Sequence, residues 1–363
     1  MKLARYKRIL ITGAGGSAGV NFTRSLWLGR EHFYTVGMDT SKYHIKLSKT
    51  HKNYLIPSCK DENYISELNK LIDKERIGFL HPQPDPEVLV ISANRDKLNT
   101  RTFLPSHEAI ILSQNKYLFN RHLHEHNVPV PHTWMIDSKE TLQLAFSCGY
   151  DKLWLRANNG AGSLAALPVH DYKQAEMWID YWSERGITWG QFILSEYLPG
   201  KEYAFQSVWK NGQLFTSAAR ERIEYLFQNR MPSGQSSTPT IAKSVHNEQV
   251  NEIAVKGILA LDKSPNGIYC VDLKEDKNGV PRIMEINTGR FFTTSYFFAS
   301  AGSNMPYYYV KLGYDDDIDP VKSKIKQYNA IEADLYWIRQ IDCGEKLVRG
   351  EELETVSIVY NSD

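Results

Sequence analysis

Short apolar runs alternate with longer stretches of helical spacing through the first third of the chain. Arg8-Ile-Leu-Ile-Thr12, Phe33 to Met38 and Ile77 to Leu80 have the length and composition of buried strands. Between them, the stretch that follows a glycine loop and runs through Leu28, and Glu62 to Glu75 with Ile65, Leu68, Leu71 and Ile72, have the spacing of helices. Three prolines keep His81 to Glu87 out of a helix until Glu87. Val88 to Leu98 is then helical, and Ala109 to Leu112 makes a further strand. Strands alternating with helices predict a parallel, doubly wound sheet here.

The pattern then changes. Ser113 to Asn127 is helical, contains Lys116, and is stopped by Val128-Pro-Val-Pro131. Strand-like Lys152 to Arg156 leads into Ala157-Asn-Asn-Gly160-Ala-Gly162-Ser163, either a plain hairpin turn or a loop whose N–H groups close over phosphates. Asp171 to Arg185 is amphipathic, with Asp171 as its cap. Strands follow at Phe192 to Leu198, Glu202 to Trp209 and Leu214 to Glu221, with Pro199-Gly200 and Asn211-Gly212 as turns. Met231 to Pro239 is a Ser/Gly-rich loop, His246 to Leu261 a helix, and Ala330 to Leu347 a pair of strands. The fold class is therefore α/β, with a Rossmann-like N-terminal part and an α+β part after it.

The most informative segment is a hairpin. Gly267 to Asp272 and Pro281 to Asn287 are apolar strands, joined through Lys274-Glu-Asp-Lys-Asn-Gly279. Residues two apart share a face, so Asp272, Glu285 and Asn287 present three oxygen ligands on one surface. Mg²⁺ takes such a set when waters and phosphates supply its other ligands. The plain alternative is a solvated strand face.

At 363 residues the chain has room for two or three domains. A net charge of +1 gives no broad field for nucleic acid or an anionic membrane. The 21 Tyr and 8 Trp fit packed cores and aromatic pockets. Four scattered cysteines, without a Cys-x-x-Cys pair, suit a reducing cytoplasm. No run approaches the roughly 20 apolar residues of a membrane span. Gly13 to Gly19 after the first strand, with Asp39 near the second, is a weak dinucleotide fingerprint because Ala18 stands where the third glycine belongs. It keeps a nicotinamide-dependent reductase or epimerase open as another class of function.

Five motifs stand in one order: Lys116 before Val128-Pro-Val-Pro131, Arg156 before Gly160-Ala-Gly162-Ser163, Ser195-Glu196-Tyr-Leu198-Pro-Gly-Lys-Glu202-Tyr, Val271-Asp272-Leu, and Met284-Glu285-Ile-Asn287. Over residues 8–313 the chain resembles ATP-grasp ligases, and within them proteins similar to the large subunit of carbamoyl-phosphate synthase. The resemblance implies a pre-ATP-grasp domain at 1–112, a two-lobed ATP-grasp domain at 113–318 with its lid lobe at about 130–193, and an add-on at 319–363 for packing or homodimerisation.

It implies ATP and Mg²⁺ as cofactors, with Mn²⁺ as a substitute. Lys116 and Arg156 would meet the phosphates, and Gly160, Gly162 and Ser163 would form the lid loop. Glu196 and Leu198 would face adenine, and Glu202 the ribose hydroxyls. Asp272, Glu285 and Asn287 would hold the metal. The implied reaction joins a small-molecule carboxylate to an amine or ammonia through an acyl phosphate, releasing ADP and phosphate. Arg222 and Arg290 are candidates for the substrate carboxylate and the oxyanion, with a solvated strand face as the alternative for Arg222. His81, with Gln83 and Asp85, is a candidate to face the acceptor. Bicarbonate activation and non-catalytic nucleotide binding are the rival readings within the family. Where many relatives read Glu-x-Asn-Pro-Arg, this chain reads Glu285-Ile-Asn287-Thr-Gly-Arg290, one residue longer, and the usual Pro after Arg156 is missing.

Overall fold

A computed structural model describes residues 6–160, 164–234, 239–316, 325–341 and 343–354. Strands β1 (Arg8–Thr12), β2 (Tyr34–Asp39), β3 (Lys52–Leu55), β4 (Phe79–His81) and β5 (Arg101–Thr102) form a sheet in the order β3-β2-β1-β4-β5. Every pairing in it is parallel. Helices α1 (Ser17–Trp27), α2 (Tyr64–Glu75) and α3 (Asp85–Ala93) make the crossovers. Alternation along β1 serves both faces: Leu10 packs with Val36, Leu68 and Ile91, while Ile9 and Ile11 pack with Phe22, Phe291 and Phe297. The second cluster also contains Ala204, Ile268 and Cys270, so the parallel sheet shares a core with the rest of the chain.

Helices α4 (His107–Gln114) and α5 (Lys116–Glu125) lead into β6 (Thr133–Ile136), α6 (Lys139–Ser147), β7 (Leu153–Ala157), β8 (Leu167–Val169), α7 (Tyr172–Ser183) and β9 (Phe192–Glu196). These strands form a small antiparallel sheet, β6-β9-β7-β8. Asp171 caps α7 through the Gln174 N–H at 2.9 Å, as its sequence position predicts. The larger sheet contains β10 (Glu202–Lys210), β11 (Gln213–Tyr225), β12 (Pro239–Val245), β13 (Gly267–Glu275), β14 (Pro281–Thr288), β15 (Leu335–Gln340) and β16 (Gly344–Arg349), in the order β14-β13-β10-β11-β12-β15-β16. Helix α8 (Glu248–Leu261) packs on it. Helices α9 (Ser295–Ser300) and α10 (Met305–Gly313) fill the space toward α1. Among the described residues no helix is long and apolar enough to cross a membrane.

Three expectations change. Ala109 to Leu112 is helix, not strand: Ser106 accepts the Ala109 N–H, and an apolar run of this length has no distinguishing period. The helix expected from Ser113 begins at Lys116, because the Asn115 side chain caps it through the Leu118 N–H at 3.0 Å. Helix α3 begins at Asp85 rather than Val88, since Pro86 lies in its first turn, where the missing N–H costs nothing. The strands expected between Ala330 and Leu347 are β15 and β16, and they lengthen the large sheet by pairing with β12.

Candidate active site

One face of the large sheet carries a block of charged side chains. Asp272 on β13 stands opposite Glu285 on β14 and Ala204 on β10, and Ala204 stands opposite Arg220 on β11. In the next row Lys274 and Arg222 flank Glu202. In the row on the other side, Cys270 stands opposite Asn287. Cross-strand partners point the same way, so alternation, with a β-bulge between β13 and β14 that sets Glu285 rather than Met284 opposite Asp272, gathers these groups. They line a cavity of about 180 Å³ whose far wall is Trp154, Arg156 and Gly160 from the small sheet. Lys116, in the first turn of α5, also lines it.

The side chains form a linked network. Arg222 bridges Glu202, at 2.6 Å, and Asp272, while the Tyr225 hydroxyl donates to Glu202. Arg156 lies 3.7 Å from Glu285 and donates to the Met284 carbonyl. Lys116 donates to the carbonyls of Gly160, at 2.6 Å, and Asn158. The Asn287 amide donates to Asp272 at 3.2 Å, and its oxygen accepts from Arg290, which also pairs with Asp85. The extra residue before Arg290 is Gly289. Its φ of +78° makes a turn that returns Arg290 to Asn287, and its Cα faces Val88 and Leu104 too closely for a side chain.

The electrostatics favour a polyanion. Six cationic side chains and three carboxylates line the cavity among the described residues, leaving an excess of positive charge. Burial first, then the charge of Arg222, pulls the Arg220 guanidinium down to about 9. Burial and Arg156 bring Lys116 down to about 8. Burial opposes the charged form of Glu285, but Arg156, Lys116 and Arg290 outweigh it and hold the carboxyl low. Asp272 moves up, because burial and the neighbouring Glu285 charge exceed the help from Arg222. Glu202 is also held low: Arg222 and Lys274 overcome its burial.

Three buried donors, Arg156 Nε, Arg220 Nη1 and Arg222 Nε, have no hydrogen-bond partner among the described residues. Such donors are costly unless an acceptor arrives. Phosphate oxygens suit them, and the two carboxylates with the Asn287 amide suit a hard cation. Both groups therefore fit the residues present.

The structure brings Lys116, Arg156, Gly160, Glu202, Arg222, Asp272, Glu285, Asn287 and Arg290 to one cavity. Glu196 and Leu198 do not line it: Leu198 is buried, and the Glu196 N–H is held by the His132 carbonyl at 2.8 Å. Gly162 and Ser163 lie outside the described residues. Arg222 is committed to two carboxylates, so it is not placed as a free contact for a substrate acid. Arg220 and Lys274 went unweighed in the sequence, yet each lies two residues from a named site residue on the same strand. His81 does not face an acceptor, because its ring is fully buried against Phe22. Of the aromatics after β14, Phe291, Phe297 and Phe298 are core, whereas Phe292 lines the cavity. The glycine loop after β1 is closed: Asp39 accepts the Gly15 N–H at 3.3 Å, and the His44 carbonyl packs on Gly15 where a Cβ would stand.

A family model described as ATP-grasp domain matches residues 113–294, half of the chain. No curated protein matches. Among solved structures, an L-amino acid ligase from Bacillus licheniformis is 14% identical with a TM-score of 0.66, covering 92% of this chain and 79% of that one. Biotin carboxylase from Campylobacter jejuni, in complex with βγ-ATP, is 16% identical with a TM-score of 0.68, covering 91% and 74%. N5-carboxyaminoimidazole synthetase from Staphylococcus aureus, complexed with ADP, is 13% identical with a TM-score of 0.68, covering 94% and 84%. At these identities the likeness is one of fold. The matched family model covers the small sheet and most of the large one, with the cavity between them, and the chain belongs to the ATP-grasp family.

Proposed function

We propose that the protein is an ATP- and Mg²⁺-dependent ligase that activates a carboxylate as an acyl phosphate and transfers the acyl group to an amine or ammonia. The observation that carries this reading is the pairing of Asp272, Glu285 and Asn287 on one sheet face with unpartnered buried donors of Arg156 and Arg220 in the same cavity. Family membership supports the use of ATP.

In this reading Asp272, Glu285 and Asn287 hold Mg²⁺, which supplies neutralisation of the phosphate charge when bound. Lys116, Arg156 and Arg220 hold the phosphates, and Glu202 accepts from the ribose hydroxyls. A carboxylate oxygen of the acid attacks the γ-phosphorus and ADP leaves. The amine nitrogen then attacks the acyl carbon, phosphate leaves, and the nitrogen loses its proton. Arg290, beside Asn287, offsets the charge on the carbonyl oxygen in that second step. Arg222 positions Glu202 and Asp272 rather than touching the acid. The described site offers no Ser/His or Cys/His pair as a nucleophile, and this chemistry needs none.

The test is an ADP-release screen over small acids with MgATP and hydroxylamine as the trapping amine. Hydroxamate should accumulate in step with ADP. MgADP near 100 times its dissociation constant should stabilise the protein by about 2.7 kcal/mol. Nucleotide binding without hydroxamate from any acid would overturn the ligase reading.

A further inference from the structure

A second cavity of about 420 Å³ adjoins the first and shares Lys116, Gly160, Glu285, Asn287 and Arg290 with it. It lies between the start of α3, the end of α4 and β14, where the parallel sheet meets the ATP-grasp part. Of its charged side chains, Lys116 and Glu285 also line the first cavity, where they are assigned to phosphate and metal, and the Asp85–Arg290 ion pair remains; its side chains keep 33% and 19% of their exposure and are thus reachable by a ligand. Its apolar wall is Leu89, Pro86 and Ile111. Ile111 is 52% exposed, a large aliphatic side chain left uncovered at the cavity's edge.

We propose that this cavity binds an α-amino acid with its carboxylate on Arg290, its ammonium on Asp85 and a neutral side chain against Leu89 and Ile111. A simple carboxylate reaching Arg290 would lie beside the carboxylate of Asp85 and be repelled. A ligand that carries its own cation replaces one ion pair by two and leaves neither Asp85 nor Arg290 unmatched. Asp85 and Arg290 touch, so a ligand whose two charges sit on neighbouring carbons fits them with the least movement. That spacing is the α-amino acid's. Arg290 also contacts Asn287, so the amino-acid carboxylate lies toward the ligands assigned to Mg²⁺. The amino acid is therefore the acid that is activated. This last point rests on the ligase reading, whereas the binding itself does not.

The test separates the two. Calorimetric titration of the MgADP-loaded protein should show leucine binding at least ~10-fold more tightly than N-acetylleucine or 4-methylpentanoate, because each lacks the ammonium that Asp85 needs. Asp85→Asn should weaken leucine at least ~10-fold and shrink its advantage over 4-methylpentanoate. Leu89→Trp, which fills the apolar side and leaves the ion pair alone, should weaken leucine ~10-fold while alanine changes by less than ~3-fold. Failure of neutral amino acids to bind, or equal binding of leucine and 4-methylpentanoate, overturns the proposal. Leucine binding without hydroxamate formation leaves this inference standing and removes the ligase reading. Hydroxamate made equally well from acids without an amino group does the reverse.

Discussion

Acidification should destabilise the protein through His81, and the size of the effect follows from how the ring is held. His81 ends β4, is fully buried, and stacks on Phe22 with ring centroids 4.0 Å apart. Gln83 uses its Nε2 on the Phe291 carbonyl, so its Oε1, 3.0 Å from His81 Nε2, accepts a hydrogen bond from the Nε2–H of the neutral ring. Burial holds the His81 pKa down to about 3, against a smaller opposing effect of Gln83. In the unfolded chain a histidine titrates near 6.5. The folded value is depressed, so the contribution is complete above about 6.5 and is lost as pH falls toward about 3. At about pH 5 the unfolded chain has gained its proton over roughly 1.5 units at about 1.4 kcal/mol each, a loss of about 2 kcal/mol. The perturbation is His81→Phe, which keeps the stacking and removes the titration. At about pH 8 the variant should be less stable by roughly 1–3 kcal/mol, because Gln83 Oε1 loses its donor. At about pH 5 that deficit should shrink by about 2 kcal/mol in urea unfolding. Groups that titrate in both proteins, Asp272 among them, cancel in the difference. An equal deficit at both pH values, or a His81 NMR resonance titrating near 6.5, would refute the reasoning.

Glu285→Ala should lower kcat at least ~100-fold, since it removes the charged ligand proposed for Mg²⁺, whereas Asn287→Asp, which keeps an oxygen, should be milder; turnover rates of folded variants decide this. Arg220→Met should leave the nucleotide-free protein as stable or more stable, because a buried cation with an unpartnered donor disappears, yet cut MgATP affinity at least ~10-fold. Melting curves with and without MgATP would show both effects, and an unchanged MgATP shift would remove Arg220 from the phosphate site. Gly289→Ala should cost roughly 1–2 kcal/mol, from its positive φ and the approach of Val88, measurable as a lowered unfolding midpoint.

The site was legible where strand periodicity and turn chemistry act locally. Asn278-Gly279 sets the hairpin and period two puts Glu285 and Asn287 on one face, but the register at the turn would set Asp272 opposite Met284, and a β-bulge next to Asp272 is what brings it opposite Glu285. The same rule extended by one step would have found Arg220 and Lys274, whose neighbours were already named. What stayed hidden depends on tertiary contact. The Asp85–Arg290 pair joins residues from two halves of the chain, and only the fold of α3 against β14 reveals it. The closure of the Gly13 to Gly19 loop is likewise set by a distant carbonyl, that of His44. Ala109 to Leu112 is ambiguous in sequence because a short apolar run carries no period, and the Ser106 cap decides its state. Strand β12 is not legible because it follows the polar loop directly and carries Thr240, Lys243 and Ser244 among its seven residues, which mask its alternation.

The most direct measurement of the central claim is the fate of carboxylate oxygen. With an acid that supports ADP release, labelled with ¹⁸O in its carboxyl group, an acyl phosphate requires one label to pass to inorganic phosphate for each amide formed, with ADP as the nucleotide product. The groups assigned to Mg²⁺ and the phosphates, Asp272, Glu285, Asn287, Arg156 and Arg220, converge on one cavity that adjoins the Arg290 site for the acid, which favours attack at the terminal phosphorus. Mass spectrometry of the released phosphate should therefore find the label in it. Unlabelled phosphate, or AMP and pyrophosphate as products, would contradict the account.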